Sequence, residues 1–349
     1  MGTKINELLK DVKKAITFEN LFNKKIAIDA FNTIYQFLAI IRQRDGTPLK
    51  DYEGNITSHL SGLFYRTINF LENEIKPIYV FDGEPSRLKL DTIQERKDIK
   101  KEAKEKMIEA QEAENYEEAR KYAQQTSKLT PNMIEEGKKL IDHLGVPVVQ
   151  ANSEGEAQSA YMVQQGDAWG IASQDYDTLL FGGDRLIRNF AVKRSKKVKN
   201  TTITLDIEYI NLTKLLEHLD ISQEQLVDMG ILIGTDFFQG IKGIGQHKAY
   251  DLIKEYGSIE NLMEQEITIG KKKIQIDSSI IEQVKDIFLN PNVNKDYPKP
   301  KWKSVNYEKV EELLIEQHNF STQRVKNALE RLKKLKRNSK QTSLDTFFK

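Results

Sequence analysis

The stretch KIAID at Lys25–Asp29 is a short, uninterrupted apolar run that ends on a carboxylate, and the amphipathic segment Thr33–Arg42 follows it. Three later stretches repeat this order of apolar run, acidic residue and helical pattern. Such runs, separated by helical segments, are typical of a mostly parallel sheet with helices on both faces. We therefore expect an α/β fold with a mostly parallel, twisted central sheet. The later runs are Ile78–Phe81 before Asp82, Val146–Val149 before Glu154 and Glu156, and Trp169–Ser173 before Asp175 and Asp177.

Acidic residues follow these runs, and one more lies in the later stretch Gly234–Asp236. In a parallel sheet, ligands bind beyond the carboxyl ends of the strands, so we expect these acids to converge there. Two carboxylates ~4 Å apart repel by about 4 kcal/mol at an effective dielectric of 20, so their convergence requires cations. Ligation by carboxylates alone favours Mg²⁺ or Mn²⁺, and two such ions form a site that hydrolyses phosphodiesters. The seven candidate ligands are Asp29, Asp82, Glu154, Glu156, Asp175, Asp177 and Asp236.

Each acid also has a purely structural interpretation. Ser153 with Glu156 three residues later is the signature of a capping box, which would make Glu156 a helix cap. Asp177 and Asp236 could cap helix N-termini, and Asp82 with the following glycine could form a turn. The sequence alone leaves these interpretations open.

The composition excludes several classes of site. The 349 residues include 39% hydrophobic and 30% charged residues, five histidines and no cysteine. The length suggests two domains or one large elaborated domain with a substantial core. The lack of cysteine excludes disulfides, thiol catalysis and cysteine-ligated zinc, and the scattered histidines argue against a histidine zinc site. With no signal-peptide core and no apolar run near the ~18 residues of a membrane helix, we expect a cytoplasmic protein with no membrane partner.

A charged segment from about 88 to 130 is rich in Lys, Glu, Ala and Gln and poor in large apolar residues. Ile99 and Ala103 recur at helical spacing, so we predict a pair of charged helices that projects from the sheet. Lys89 and Arg96 lie seven residues apart at its base, two turns apart on one helix face. A cationic pair beside the acids could neutralise charge on a scissile phosphate, and a solvated helix face is the alternative.

A glycine-rich stretch, GIKGIG at Gly240–Gly245, joins two predicted helices within residues 226–256. Gly243 and Gly245 have the G-x-G spacing, but Lys248 stands where a dinucleotide fingerprint needs a third glycine. Exposed N–H groups of a tight glycine turn suit a phosphate, which predicts salt-sensitive, sequence-independent binding of a nucleic-acid backbone. A plain helical hairpin is the alternative.

The C-terminal region is strongly basic. From residue 321 to 349 it has nine Lys or Arg against two Asp or Glu, and 331–340 reads as a basic linker. In the segment after it, Leu344, Phe347 and Phe348 lie on one side of a helical turn. Apolar side chains at a polar chain end favour binding in the groove of a partner protein.

Taken in order, these motifs resemble the flap structure-specific endonuclease (flap endonuclease-1) family of the XPG/Rad2 5′ nucleases, over nearly the whole chain. The lack of a long extension beyond the last motif is similar to the archaeal members. The resemblance implies a Mg²⁺-dependent enzyme, in which Mn²⁺ substitutes, that cuts DNA near the base of 5′ flaps and has 5′–3′ exonuclease activity. Its expected roles are Okazaki-fragment maturation and long-patch base excision repair, by a two-metal-ion mechanism. The matching motifs are Ile26–Ala30 with Ile34–Leu38, Val80–Gly83, Ser153–Ala157, Asp175–Asp177 and Gly234–Asp236.

The resemblance also assigns roles to the candidate residues. Lys89 and Arg96 match the basic pair over the scissile phosphate, and the segment 88–130 matches the arch through which the flap threads. Tyr35 matches the aromatic residue on which the 5′ nucleotide stacks, and Gly2 lies near the active site in the family. One metal ion belongs with the first acid group, which consists of Asp29, Asp82, Glu154 and Glu156. The other belongs with the second acid group, which consists of Asp175, Asp177 and Asp236. The expected catalytic residues are Lys89, Arg96 and Asp177.

The glycine segment Gly240–Gly245 resembles a helix–hairpin–helix DNA motif, in which Gln246-His247 replaces the expected Pro-basic pair. The family binds K⁺ there through backbone carbonyls. The last segment resembles the motif that binds the sliding clamp (PCNA). Phe320 and Arg324 match a pocket for a one-nucleotide 3′ flap, where His318 replaces a basic residue. The implied contacts are Gly240, Ile241 and Ile244 for K⁺, Gly243, Gly245, Lys248 and Arg324 for DNA, and Gln341, Leu344, Phe347 and Phe348 for the clamp.

The resemblance further implies a single PIN-like 5′ nuclease domain over 1–330, with nuclease regions at about 1–105 and 131–260. A linker and clamp-binding tail at 331–349 would follow. We expect a nucleoid-associated monomer that docks on the clamp and on flap DNA. Two other functions stay open: a non-catalytic, clamp-associated protein that binds DNA junctions, and a metal-dependent RNase or phosphatase on a similar acid-lined sheet.

Overall fold

The fold is built on a seven-stranded sheet with the strand order β1-β9-β6-β5-β2-β3-β4. The computed structural model describes the backbone of residues 3–191, 195–198, 201–265, 268–269, 272–273 and 277–347, and the side chains of 3–191, 205–265 and 277–335. The sheet strands are β1 (Lys14–Ile16), β2 (Lys25–Asp29), β3 (Lys76–Phe81), β4 (Val148–Gln150), β5 (Gly170–Ala172), β6 (Arg185–Arg188) and β9 (Ile207–Asn211); β7 (Ser195–Val198) pairs with β8 (Thr201–Thr204), and β10 (Thr268–Ile269) with β11 (Lys272–Lys273).

The prediction of a mostly parallel sheet is confirmed. Strand β2 pairs in parallel with β3 and β5, β3 pairs with β4, and β5 pairs with β6. The antiparallel edge formed by β9 with β6 and β1 was not predicted. Its strands β1 and β9 are only partly buried and lack the uninterrupted apolar run that marks the central strands.

Helices cover both faces of the sheet, as the apolar runs predicted. Along β2, Ile26 and Ile28 pack into one core while Ala27 packs into the other, because successive side chains of a strand point to opposite faces. Helices α1, α2, α5, α13 and α14 lie over the first core, and α6 to α12 lie over the second. The helices are α1 (Ala30–Ile40), α2 (Ser58–Glu72), α3 (Leu90–Glu112), α4 (Tyr116–Ala123), α5 (Pro131–His143), α6 (Gly155–Gln164), α7 (Asp177–Leu180), α8 (Leu212–Leu219), α9 (Gln223–Ile233), α10 (Gln246–Tyr256), α11 (Ile259–Glu264), α12 (Ser278–Leu289), α13 (Tyr307–Glu311) and α14 (Thr322–Phe347).

Helix α1 begins three residues earlier than the predicted start at Thr33. It follows β2 directly, and its first residue is Ala30. The early start has a local cause, because Asp29 Oδ1 accepts the N–H of Asn32 at 3.0 Å and so caps the helix. The junction between strand and helix therefore fixes the position of a candidate metal ligand.

The predicted pair of charged helices is confirmed as α3 and α4, called here the helical hairpin. Small side chains form its interface, since the buried residues of the two helices are Ala103, Ala110, Ala119 and Ala123. The hairpin also contacts the turn that follows α1, because a Cβ at Gly46 would lie 3.1 Å from the Cβ of Ala123. The hairpin therefore begins just after β3, near Asp82, and its last helix, α4, ends against the turn that follows α1.

The two helices predicted around the glycine segment are confirmed as α9 and α10. The basic segment 331–340, predicted as a linker, instead has a helical backbone within α14. Neither Pro nor Gly occurs between 322 and 347 to end the helix, and Leu332 is buried against the core. Among the residues whose structure is described, no helix has the length and apolar character needed to cross a membrane.

Candidate active site

The candidate ligands gather at one edge of the sheet, as the strand pattern predicted. Asp29 is the last residue of β2, and Asp82 directly follows β3. The other acids of both groups follow β4 and β5, except Asp236, which follows α9. The chain continues from β2 to β3 on one side of β2, whereas β5 pairs with β2 on its other side. The acids therefore surround the point where the strand order reverses.

Two glycines allow the first acid group to come together. Asp82 Oδ1 accepts the N–H of Gly155 at 2.5 Å, at the start of α6. A Cβ at Gly155 would lie 2.5 Å from this same oxygen, so a larger residue would displace the carboxylate. Gly83 donates its N–H to the carbonyl of Ser153 at 2.7 Å, and this bond ties the β3 loop to the β4 loop.

Ser173, directly after β5, links the two acid groups. Its Oγ lies 2.7 Å from Glu156 Oε1 and 3.3 Å from Asp29 Oδ2, and it accepts the N–H of Asp175 at 3.2 Å. Thr178 Oγ1 donates a second hydrogen bond to Glu156 Oε1, at 3.0 Å. Neutral hydroxyl groups therefore hold the carboxylates in place without cancelling their charge.

The second acid group is held by groups from distant parts of the chain. Asn32 Nδ2 donates to Asp175 Oδ2 at 3.0 Å, from the first turn of α1. The backbone N–H of Thr3 donates to Asp177 Oδ1 at 2.6 Å. Gly2, which the resemblance placed near the active site, lies outside the described residues, and its neighbour Thr3 reaches the acids.

The crowding of acids changes their proton affinity. Burial, followed by the charge of Asp82, raises the pKa of Asp29 well above its ordinary value. Burial and the charge of Glu154 raise the pKa of Asp82 to about 6. Burial and the charge of Asp175 raise the pKa of Glu156 well above its ordinary value, and burial with the charge of Asp236 raises that of Asp177 to about 6.

Two cations from the base of the helical hairpin contact the acids. Lys89 Nζ pairs with Glu154 and lies 3.7 Å from Asp236 Oδ2, and Arg96 donates to Asp236 Oδ1 at 2.5 Å. Burial alone would lower the pKa of Lys89, but the charges of Glu154, Asp236 and Asp82 together raise it above normal. The basic pair predicted from spacing therefore faces the acids and does not form an ordinary solvated helix face.

The structural interpretations of Glu156, Asp177 and Asp236 fail. Helix α6 begins with Glu154 as its N-cap and shows no side-chain cap, so the Ser153–Glu156 capping box does not form. Tyr176, and not Asp177, is the N-cap of α7, and Asp236 lies in a loop. Asp29 caps α1 and Asp82 accepts the first N–H of α6, but the second oxygen of Asp29 still faces Ser173.

Two sets of predicted DNA contacts, on α1 and in the glycine segment, are accessible to solvent. Tyr35 is partly exposed on α1, and Lys100 Nζ of the helical hairpin lies 4.7 Å from its ring centroid. Gly243, Gly245 and Lys248 are exposed, and a Cβ at Gly245 would meet open space.

One of the carbonyl ligands predicted for K⁺, that of Ile241, already takes part in the turn. The Ile241 carbonyl accepts the N–H of Ile244 at 2.9 Å, while Gly240 has a positive φ of 74°. Gln246, unexpected in this motif, accepts the N–H of Glu7 through Oε1 at 2.9 Å. The substitution therefore has a structural role, because it ties the start of α10 to the N-terminal segment.

The predicted 3′-flap residues lie on the side of the sheet that α2 and α14 cover. Phe320 is partly buried against the core there, and His318 is buried with Nδ1 3.0 Å from Asp51 Oδ2. Arg324 lies at the start of α14, close enough to Tyr65 to affect its pKa. The predicted clamp contacts lie outside the described residues, Phe348 entirely and the side chains of Gln341, Leu344 and Phe347.

Sequence reasoning missed the neutral groups that position the acids. These are Ser173, Thr178, Asn32 and the N–H of Thr3. Ser173 has a weak signal, since it stands between a buried strand and the Asp175–Asp177 pair. Thr3 has none, because a backbone N–H is present at almost every residue.

Comparisons with known proteins identify the family. The family models of the XPG N-terminal domain and the XPG I-region match residues 1–103 and 145–236. A protein of Methanobrevibacter smithii named flap endonuclease 1 is 48% identical over 349 residues, which cover 100% of both chains. The chain belongs to the flap endonuclease-1 family. The solved structure of flap endonuclease-1 from Methanococcus jannaschii has a TM-score of 0.71 and 41% identity, covering 95% of this chain and 99% of its own.

The flap endonuclease-1 fold extends to more distant proteins. The catalytic core of Rad2, solved in complex with a DNA substrate, matches with a TM-score of 0.73 at 23% identity, covering 95% of this chain and 100% of its own. At this identity the likeness concerns the fold alone. Flap endonuclease-1 proteins are nucleases, and nucleases of this family depend on metal ions.

The residues present at the sheet edge fit a hard divalent cation. Every charged donor is a carboxylate, and such oxygen ligands suit Mg²⁺ or Mn²⁺. Burial and neighbouring negative charge both raise the pKa values of Asp29, Asp82 and Asp177, so a cation bound here would stabilise their ionised forms. In the arrangement of the described residues, no three His, Cys, Asp or Glu side chains are placed so that they could hold one ion together without moving. Lys89 and Arg96 hold Glu154 and Asp236 in other contacts.

Replacing Asp82 or Asp177 by Asn should raise the unfolding temperature of the metal-free protein, because each change removes one charge from a crowded set. We expect a gain of about 1–3 °C in EDTA, measured by differential scanning calorimetry. Added Mg²⁺ should then stabilise either variant less than the wild type, because one carboxylate donor is lost.

Asp251→Asn is the control, because Asp251 is an exposed acid on α10. It should change neither the unfolding temperature in EDTA nor the stabilisation by Mg²⁺. A lower unfolding temperature for both site variants would show that the carboxylates stabilise the metal-free fold, contrary to the charge-crowding argument.

Proposed function

We propose that this chain is a structure-specific 5′ flap endonuclease that hydrolyses DNA phosphodiesters near the base of 5′ flaps with divalent metal ions. The observation that carries the proposal is the convergence of seven carboxylates at one sheet edge, beside two cations, in a chain of the flap endonuclease-1 family. The expected cellular roles are Okazaki-fragment maturation and long-patch base excision repair, with 5′–3′ exonuclease activity as a second reaction.

The two acid groups would hold two Mg²⁺ ions, with Mn²⁺ as a substitute. Bound ions of this kind lower the pKa of an attacking water and stabilise the leaving oxygen, so no Ser, Cys or His nucleophile is required. The chain itself orients the carboxylates through Ser173, Thr178 and Asn32, which leaves little reorganisation for the reaction. Asp177 is the acid that we expect to be most sensitive, because it is 3% exposed and its Oδ1 is already bonded to Thr3.

Lys89 and Arg96 would bind the scissile phosphate. In the free protein they pair with Glu154 and Asp236, so the carboxylates keep both cations at the entrance to the site. An approaching phosphate offers them a second anionic partner at the place where charge develops during cleavage. Thr92 and Phe237 support this position, since Thr92 Oγ1 donates to the Asp236 carbonyl at 2.9 Å and the Phe237 ring lies 5.6 Å from Lys89 Nζ.

Further contacts with DNA would lie on both sides of the acids. Tyr35 would stack on the 5′ nucleotide, and the helical hairpin would surround the single-stranded flap. The exposed glycine segment, with Gly243, Gly245 and Lys248, would bind the backbone of the duplex, with K⁺ held by carbonyls of Gly240, Ile241 and Ile244. Arg324, with Phe320, would contact a 3′ flap.

Asp177→Ala should abolish cleavage of a labelled 5′ flap substrate in Mg²⁺ while it leaves substrate binding within about threefold of wild type, because the acid acts through the metal ions. Cleavage is measured by gel electrophoresis of the products, and binding by fluorescence anisotropy in Ca²⁺. The control is Asp251→Asn, which should cleave at the wild-type rate.

The outcomes separate the competing functions. Folded wild-type protein that binds flap DNA without cutting it near the junction would favour a non-catalytic, clamp-associated DNA-binding protein. Faster cleavage of single-stranded RNA than of flap DNA would favour a metal-dependent RNase. Either result would overturn the proposed function.

Lys89→Ala should lower the single-turnover cleavage rate by about 10²–10³ at saturating DNA, the loss expected when a preorganised charge contact is removed. Rapid-quench kinetics in saturating Mg²⁺ measure this rate. Lys97→Ala is the matched control, since Lys97 is exposed on α3, the helix that Lys89 precedes. Equal rates for the Lys89→Ala and Lys97→Ala variants would remove Lys89 from the reaction.

The last residues would bind the sliding clamp through Gln341, Leu344, Phe347 and Phe348. Deleting Gln341–Lys349 should weaken clamp binding and clamp-stimulated cleavage without changing the basal rate. Surface plasmon resonance on immobilised clamp and cleavage with and without the clamp measure these effects. If the clamp stimulates the truncated protein as much as the full chain, the tail is not the docking segment.

A further inference from the structure

Tyr176 occupies the position between Asp175 and Asp177, where the chain turns from β5 into α7. The two acids belong to the candidate metal site, whereas the tyrosine side chain is buried on the other side of the turn, with 7% of its surface exposed. Its environment therefore decides how firmly the turn, and with it both carboxylates, is held. The proposed function assigns no role to this residue.

Three side chains surround the Tyr176 hydroxyl. It donates to Asn6 Oδ1 at 2.8 Å, and it accepts from Lys13 Nζ at 2.9 Å and from Arg188. The Arg188 guanidinium also lies 4.1 Å from the ring centroid, in the geometry of a cation–π contact. Both the ring and the hydroxyl of Tyr176 are thus fixed by side chains outside the acid groups.

Arg188 connects this anchor to the sheet. It lies at the end of β6, its Nε donates to the carbonyl of Gln174 at 3.1 Å, and its terminal nitrogen pairs with Glu208 of β9 at 2.8 Å. Arg188 therefore binds the turn twice, once through the backbone before Asp175 and once through the ring of Tyr176. Glu208, which also lies 3.7 Å from Lys13, balances the positive charge at this place.

Asn6 connects the anchor to the N-terminal segment, residues 3–13. Within this segment the N–H of Thr3 donates to Asp177 Oδ1 at 2.6 Å, and the N–H of Glu7 donates to Gln246 at 2.9 Å. Ile5 and Leu9 fix the segment by packing into the core. The segment thus contacts Asp177 directly and the neighbouring Tyr176 through Asn6.

We propose that Tyr176 is a positioning residue that holds Asp175 and Asp177 ready for a divalent cation by anchoring their turn to Asn6 and Arg188. This inference rests on the proposed function, because it assumes that the second acid group holds a metal ion. Tyr176 itself touches neither substrate nor metal. Loss of Tyr176 should therefore lower metal affinity, since removing a partner that orients metal ligands typically changes this affinity by about 10–100-fold.

The test is a Mn²⁺ titration of the DNA-free protein, with free Mn²⁺ followed by its electron paramagnetic resonance signal. Tyr176→Phe keeps the ring on Arg188 but loses the hydroxyl bonds, and it should weaken Mn²⁺ binding about tenfold. Asn6→Ala should have an effect in the same direction. The double variant should lose about as much as Tyr176→Phe alone, because both changes remove the same hydrogen bond.

Flap cleavage provides a second measurement. In Tyr176→Phe the Mg²⁺ concentration for half-maximal rate should rise about tenfold, while the rate at saturating Mg²⁺ stays close to that of the wild type. A residue that only stabilises the fold would lower the unfolding temperature and leave this concentration unchanged. The control is Tyr297→Phe, which removes another buried hydroxyl, bonded to Asp167, and should change neither metal measurement.

The outcomes distinguish this inference from the proposed function. Wild-type protein that binds no Mn²⁺ and leaves flap DNA uncut would overturn the function itself. Wild-type protein that cleaves, together with wild-type Mn²⁺ affinity in both Tyr176→Phe and Asn6→Ala, would overturn only the positioning role. Circular dichroism spectra establish whether each variant is folded. If Tyr176→Phe does not fold, the Mn²⁺ affinity of Asn6→Ala decides the question.

Discussion

Electrostatic repulsion among seven carboxylates is the constraint on which the arrangement of this protein depends. Asp29 and Asp82 reach the same edge because β2 and β3 are parallel neighbours, so the sheet topology itself creates the crowding. A fold that gathers such charge costs stability, as the raised pKa values of these two acids indicate. The cost makes physical sense only if the edge binds positive charge, which links the architecture directly to metal-dependent chemistry.

The free protein answers this repulsion in two ways. Hydroxyl, amide and backbone N–H groups, among them Ser173 and Thr3, bind the carboxylates and hold them apart. Lys89 and Arg96 add positive charge from the helical hairpin, which is a separate element of the fold. The same two cations therefore connect the acid edge with the base of the hairpin.

Much of the fold and most of the candidate site could be predicted from the sequence, because strand patterns and charged side chains leave clear signals. Uninterrupted apolar runs gave the central strands, and the acids that follow them gave the site. The helical backbone of 331–340 was not predicted, because its charge pattern resembles a solvated segment while the absence of Pro and Gly permits a helix. The hydrogen bond from Thr3 to Asp177 and the role of Gln246 could not be predicted, because these contacts join residues more than a hundred positions apart and leave no periodic pattern.

The buried side chains of α3 and α4 are all alanines, and this has a consequence for local stability. Four such groups bury little apolar area, so at ~25 cal/mol per Å² they resist separation far less than the Leu, Ile and Phe side chains beneath the sheet. Local opening therefore costs less free energy at the hairpin than in the sheet, whose strands are held by large buried side chains.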